Sequence, residues 1–232
     1  MQPILKCEKL TKKYGHTVAL NELDLNVEPG RIVGLFGPKD SGKTTLLKLA
    51  AGLLTVGSGS VLIDGCAPGV ATKRFTAFLP DSEGYEDRAA VKDMTRLFGD
   101  FYSDFDREKA VSVLSDLGID PKDKIAELSK GSVAKFRLAL TMCRSAKLYL
   151  LDDPVASVDT ATLTYVLNTI STGRPEGSSV LIASRNPSEV ERIINDAAFI
   201  SAGKVSLFAD AEKLRADTGK SVHALFTEGS EC

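Results

Sequence analysis

The sequence is poor in the residues that redox, metal and membrane-embedded proteins need. Its four cysteines, Cys7, Cys66, Cys143 and Cys232, include no two at metal or redox spacing. A reduced, cytosolic setting is therefore expected. His16 and His223 stand too far apart in sequence to suggest a metal pair, and each is expected at the surface. No apolar run approaches the about 18 residues that a membrane span needs. Met1-Gln2-Pro3 leads straight into an amphipathic strand, with no signal segment expected. Any membrane role is thus expected to come through a partner. The net charge of −2 lacks the basic excess of a nucleic-acid binder, so no nucleic-acid partner is expected. There is no tandem repeat and no low-complexity linker.

What is present is an ordinary globular composition. The 232 residues are 43% hydrophobic and 26% charged, enough for one substantial core and a small subdomain. Ile4–Tyr14 and Thr17–Val27 read as strands around Gly15-His16, the second alternating Leu20, Leu23, Leu25 and Val27 with polar residues. Glu28-Pro29-Gly30 is a turn, Gly57–Ser60 a loop, and Val61–Gly65 and Phe75–Leu79 are strands. From about Asp81 to Lys135 helical periodicity takes over, with one helix through Val91, Met94, Thr95, Leu97 and Phe98 and another through Ala110–Leu117. The acids of Phe101–Asp106, between them, are expected as helix caps. A helix over 132–145 and strands at 148–151 and 180–183 follow. Further helices are expected over 160–170, 188–194 (with Ser188 a cap candidate) and 211–217, with a hairpin at 198–208 and a loose tail to Cys232. Strands alternating with helices predict an α/β fold with a largely parallel sheet.

One stretch organises the rest. Gly37-Pro38-Lys39-Asp40-Ser41-Gly42-Lys43-Thr44-Thr45 follows the apolar run Ile32–Phe36 and precedes a helical run. Its spacing fits G-x-x-x-x-G-K-[ST], a P-loop. Glycines let the backbone approach a phosphate closely. Loop N–H groups and a helix N-terminus then face the polyanion. Lys43 supplies a point charge to β- and γ-phosphates, and Thr44 a hydroxyl to Mg²⁺. Asp152 ends the apolar run Leu148–Leu151, where P-loop enzymes place a magnesium-holding acid. No Asn-Lys-x-Asp base-reading motif occurs, which argues against a GTPase.

Leu128-Ser129-Lys130-Gly131-Ser132 precedes a helix, and Leu151-Asp152-Asp153-Pro154 and Ser157-Val158-Asp159 follow it. With the P-loop, these motifs make the chain resemble the ATP-binding (nucleotide-binding) subunits of ABC transporters, from Tyr14 to Arg185 by motif and beyond by strand order. The Leu128–Gly131 pattern and Phe101–Asp106 bring it nearer to bacterial exporter cassettes. The resemblance implies a P-loop NTPase (RecA-like) parallel-sheet core with an antiparallel β subdomain and an inserted α-helical subdomain. Residues 1–80 and 136–217 would form the ATP-binding core, about 81–135 the helical part ending in the signature motif, and 218–232 the tail. It implies ATP and Mg²⁺ as cofactors. It also implies two partners: a separate transmembrane permease subunit, met by the helical part and the segment around Asp81, and a second ABC ATP-binding subunit in a homo- or heterodimer. The chain would then sit on the inner face of the cell membrane. A non-transport clamp or a regulatory relative that turns over no ATP is the alternative.

By the same resemblance, Tyr14 would stack on adenine, Ser129 and Gly131 would face the γ-phosphate of the opposite subunit's ATP, and Asp159 would couple the two sites. Lys130 and Ser132 replace a common glycine and glutamine. Three departures bear on chemistry. Asp153 stands for the usual glutamate that polarises the attacking water, shorter by one carbon, about 1.5 Å. Asp81 stands for a glutamine, still able to approach Mg²⁺ but unable to donate a hydrogen bond when ionised. Arg185 stands for a histidine; it can grip a phosphate but cannot accept a proton. ATP binding with slow turnover is expected.

Overall fold

The structure, a computed structural model, describes residues 2–81, 89–156 and 158–230. Ser157 of the run before Asp159, and Cys232, lie outside the described residues. In chain order the elements are β1 (Leu5–Tyr14), β2 (Thr17–Val27), β3 (Ile32–Phe36), α1 (Lys43–Ala50), β4 (Ser58–Ile63), α2 (Val70–Lys73), β5 (Thr76–Leu79), α3 (Val91–Phe101) and α4 (Arg107–Asp116). There follow α5 (Lys130–Met142), β6 (Leu148–Asp152), α6 (Thr160–Thr172), β7 (Ser179–Ser184), α7 (Pro187–Val190), β8 (Asp196–Ser201), β9 (Lys204–Asp210), α8 (Ala211–Thr218) and α9 (Val222–Ser230).

Two sheets result. An antiparallel sheet runs β2-β1-β4, and a second runs β5-β6-β7-β3-β8-β9, parallel except for the antiparallel pair β8–β9. The central parallel strands β3, β6 and β7 are buried at every position and mostly apolar because both faces are covered. Val33 and Leu35 of β3, Leu148 and Leu150 of β6 and Leu181 of β7 pack toward α1 and the antiparallel sheet. Their neighbours Phe36, Tyr149, Leu151 and Ile182 pack toward α6 to α9. The period of two thus divides each strand between two cores.

A third cluster joins Val91 and Met94 of α3, Ala110 and Leu114 of α4, and Phe136, Ala139 and Leu140 of α5. Leu138 and Met142 of α5 belong instead to the sheet-side core, so this helix serves both. Residue 135, where the sequence reading returns to the core, falls within it.

Arg144 ties the helices to the sheet. Its guanidinium makes five hydrogen bonds: to both Asp104 oxygens at 3.0 and 3.1 Å, to Thr76 O at 2.7 Å, and to Lys73 O and Arg74 O at 2.9 and 3.2 Å. The Tyr102 ring lies 3.9 Å from it, a cation–π contact. The residue is only 4% exposed, and removing one partner of such a pair strands the other. Arg144→Ala is expected to cost about 3–5 kcal/mol of unfolding free energy. Urea denaturation checks this; a loss below about 1 kcal/mol would contradict the packing argument.

Several local expectations need correction. The tail is not loose: α9 is a helix, because Phe226 packs its ring 5.4 Å from Phe199 and 6.4 Å from Phe36. Gly57–Ser60 is not all loop, since β4 starts at Ser58 and pairs with Thr11 of β1. α5 starts at Lys130, two residues early, because Ser129 caps it. Asn186, not Ser188, caps α7, with Pro187 in the first turn, and the helix stops at Val190. Asp106 caps α4 as expected, but Asp104 is spent on Arg144.

Candidate functional site

The loop after β3 is built to meet an anion. Gly42 has φ 107, and a Cβ there would press to 2.5 Å from Ala19 O on β2. A Cβ on Gly37 would strike Ile200 O. Glycine is required at both places. Gly42 is also the N-cap of α1, which has no side-chain cap and no acid in its first turn. Side chains cap α4, α5, α6, α7 and α8: Asp106, Ser129, Asp159, Asn186 and Asp210. The free N–H groups of α1 are therefore left for a ligand.

Lys43 lies curled within this loop. Its Nζ donates to Gly37 O at 2.6 Å, Pro38 O at 2.7 Å and Ser41 Oγ at 3.3 Å. Burial lowers its pKa, against the pull of Asp153 and Asp152. A cation held this way, short of water, gains from an incoming polyanion. Lys43, Asp40, Ser41, Gly42, Thr44 and Thr45 line a cleft of about 280 Å³ with Tyr14, Thr17, Val18 and Ala19. Tyr14 is 47% exposed there, and Lys12 Nζ stands 5.6 Å from its ring. An aromatic face and a phosphate loop thus share one pocket.

Thr44 links this pocket to a second. Its hydroxyl donates to Asp152 Oδ1 at 3.1 Å. Asp152 Oδ2 is buried with no hydrogen-bond partner, and burial raises the pKa of the carboxyl. Such an orphaned oxygen beside a hydroxyl and a phosphate loop suits a hard divalent cation. Among the described residues no three or more His, Cys, Asp or Glu side chains form a metal cage. Magnesium is commonly held by one or two carboxylates together with substrate phosphates, so the donor set fits.

The second cleft, about 560 Å³, is lined by Asp152, Asp153, Asp81, Pro80, Leu128, Lys130 and Arg137, among others. Asp153 has φ 50, an arrangement aspartate tolerates better than most residues. Its Oδ2 accepts from Arg185 Nε at 3.1 Å, with Arg185 57% and Asp153 12% exposed. Burial raises the Asp153 pKa while Arg185 pulls it down. Two of the three departures read in the sequence, Asp153 and Arg185, are therefore paired with each other. Asp81 lines the same cleft, and its backbone oxygen and that of Pro80 accept from Arg137. Arg137 and Arg144 carried no signal in the sequence, since the contacts shown for them join segments far apart in the chain.

Ser129 and Gly131 do not line the P-loop pocket of their own chain. Ser129 Oγ accepts from Ser132 N at 3.1 Å and lies 2.9 Å from Ser132 Oγ. Gly131 faces Thr162 and Asp159, which caps α6 through Thr162 N at 2.8 Å. That bond holds the Asp159 carboxyl below its usual range.

A family model described as ABC transporter matches residues 20–156, more than half of the chain. The chain belongs to the ABC transporter family. With its P-loop, this ABC protein is the family's ATP-binding subunit. Its curated relatives include the lantibiotic transport ATP-binding protein SrtF of Streptococcus pyogenes, 27% identical over 88% of this chain and 90% of that protein. Another is the lipopolysaccharide export system ATP-binding protein LptB of Haemophilus influenzae, 28% identical over 92% of this chain and 93% of that one. Among solved structures, an ATP-binding subunit of an ABC transporter superposes with TM-score 0.86 at 20% identity, covering 97% of this chain and 98% of its own. A dimeric ATP-binding cassette in a post-hydrolysis state, bound to ADP and phosphate, gives 0.78 at 20% identity over 89% and 98%. The cassette fold is thereby shared. No helix among the described residues is long and apolar enough to cross a membrane.

Proposed function

We propose that the chain binds MgATP in the pocket between Tyr14 and the Gly37–Thr45 loop, pairs with a second ATP-binding subunit around it, and drives a separate transmembrane permease subunit while hydrolysing ATP slowly. The observation that carries this is a contrast within one site. Lys43 and Thr44 stand together in the phosphate loop, with Thr44 hydrogen-bonded to Asp152, whereas the carboxylate of Asp153 is held by Arg185. Thr44 and Asp152 would hold the magnesium ion together with phosphate oxygens of the nucleotide, and Asp81 lines the same cleft as Asp152. When bound, the ion supplies charge neutralisation across the β- and γ-phosphates.

The chain's own groups divide the remaining work. Loop N–H groups and Lys43 bind and orient the phosphates. Tyr14 offers its exposed ring to the adenine. Asp153 is the acid nearest in role to a water-orienting base, and a permanent cation occupies one of its oxygens. Ser129, exposed, and Gly131, half-buried, both away from their own P-loop pocket, suit contact with the second subunit's nucleotide. Relatives named for lantibiotic transport and lipopolysaccharide export support a permease of the exporter kind. Attachment to that permease would hold the chain on the inner face of the membrane.

Equilibrium titration with ATP, with and without magnesium, tests the binding step. Chelating the metal is expected to weaken ATP affinity at least about tenfold, because Asp81, Asp152 and Asp153 then face bare phosphate charge. Equal affinity in both conditions would overturn the metal assignment. Copurification of a membrane subunit with the full chain tests the transport reading.

A further inference from the structure

The phosphate loop is held from behind by parts of the chain that the family match, residues 20–156, does not reach. Phe36, the last residue of β3, leads directly into Gly37. Its ring is fully buried and folds back over Gly34, where any Cβ would collide with it. Phe36 pairs in register with Phe199 of β8, ring centroids 6.3 Å apart. Phe226 of α9 closes the group, 6.4 Å from Phe36 and 5.4 Å from Phe199, with all three contacts edge-on. Edge-on aromatic pairs add to the apolar burial that already fixes these side chains in place.

A second brace comes from the β8–β9 turn. Gly203 N donates to Ser41 O within the phosphate loop at 3.1 Å, and Asn21 N donates to Gly203 O at 3.0 Å. Ala202 and Gly203 have φ 47 and 75. A Cβ on Gly203 would lie 2.8 Å from Ala19 O and 2.9 Å from Leu20 Cα. The turn is therefore wedged between β2 and the loop. The helix that carries Phe226 is itself fastened: Glu191 accepts from Val222 N at 3.1 Å, His223 N at 3.2 Å and Arg215 Nε at 3.3 Å.

We infer that the C-terminal segment sets the shape of the phosphate loop, with Phe226, acting through Phe36, and Gly203, acting on Ser41, as positioning residues for triphosphate binding. This rests on the nucleotide reading of the loop. Neither residue lines the pocket. Their effect is on how much of the chain population holds its loop N–H groups and Lys43 in the binding arrangement, which scales the apparent affinity directly.

The test is MgATP affinity by equilibrium titration of the full chain, with thermal melting in parallel, for Phe226→Ala, Phe226→Leu and Leu163→Ala. Leu163, on α6, packs against the same core as Phe36 without belonging to the ring group. Phe226→Ala is expected to weaken MgATP about tenfold, within the range for residues that touch no ligand. Phe226→Leu, which restores bulk, is expected to recover most of the affinity. Leu163→Ala is expected to lower the melting temperature and leave affinity within about twofold. Unchanged affinity in Phe226→Ala, or an equal loss in Leu163→Ala, would overturn the inference. Absence of MgATP binding by the unmodified chain would instead overturn the nucleotide reading, and this inference with it.

Discussion

The double substitution Asp153→Glu with Arg185→His is expected to raise steady-state ATP turnover about 100-fold, the scale set by a misplacement near 1 Å at a reacting centre. Two obstacles are removed together. The longer side chain brings the carboxylate about 1.5 Å closer to the phosphate side of the cleft. Loss of the guanidinium frees the oxygen that now accepts from Arg185 Nε at 3.1 Å. Asp153→Glu alone should recover a smaller part, because a glutamate beside a permanent cation would still be paired. The left-handed backbone at Asp153, φ 50, gives glutamate a modest strain to absorb and so works against the gain. Phosphate release measured at saturating MgATP decides the matter. An unmodified chain as fast as the double variant would show that Asp153 and Arg185 are working substitutes and would remove the slow-turnover reading.

Lys43→Ala is expected to reduce MgATP affinity about 100-fold and turnover with it. Truncating one member of a buried, hydrogen-bonded charge pair costs about 2–5 kcal/mol, and each 1.36 kcal/mol is a factor of ten. The structure explains why the effect should be on binding more than on folding. Among the described residues Lys43 Nζ donates to two loop carbonyls and Ser41 Oγ, and burial works against its charge. Removing it takes away a desolvation cost along with those hydrogen bonds. Isothermal titration separates this from misfolding, since the variant should melt within a few degrees of the unmodified chain. Retained affinity would mean that the loop amides alone hold the phosphates.

The phosphate loop was legible in the sequence because its parts are local, and Asp152 was legible as the acid that ends an apolar strand. Gly37, Gly42, Lys43 and Thr44 lie within eight positions, between an apolar strand and an apolar helix. The alternation of Leu20, Leu23, Leu25 and Val27 likewise declared a half-buried strand. The Asp153–Arg185 pair was legible only as two separate oddities. Their contact depends on β6 and β7 lying side by side, with Asp152 in register with Ala183. Arg144 was invisible for a related reason: its five acceptors are two carboxylate oxygens and three carbonyls set on other segments. The tail helix escaped notice because nine residues carry too few turns for a clear period. Its docking relies on a ring, Phe226, that meets partners far away in the chain.

The fastening of Arg144 has a mechanical meaning. It stands two residues beyond the end of α5, where Leu138, Met142 and the Arg137 bond to Pro80 O also grip the sheet side. The opposite end of α5, at Ser129, is exposed. Thirteen residues make a rod of about 20 Å. A tilt of about 10° about the Arg144 end of such a rod would move the serine end through about 3.5 Å. Ser129 thus stands at the exposed end of a rod whose other end is bolted to β5 through Arg144 and Thr76 O.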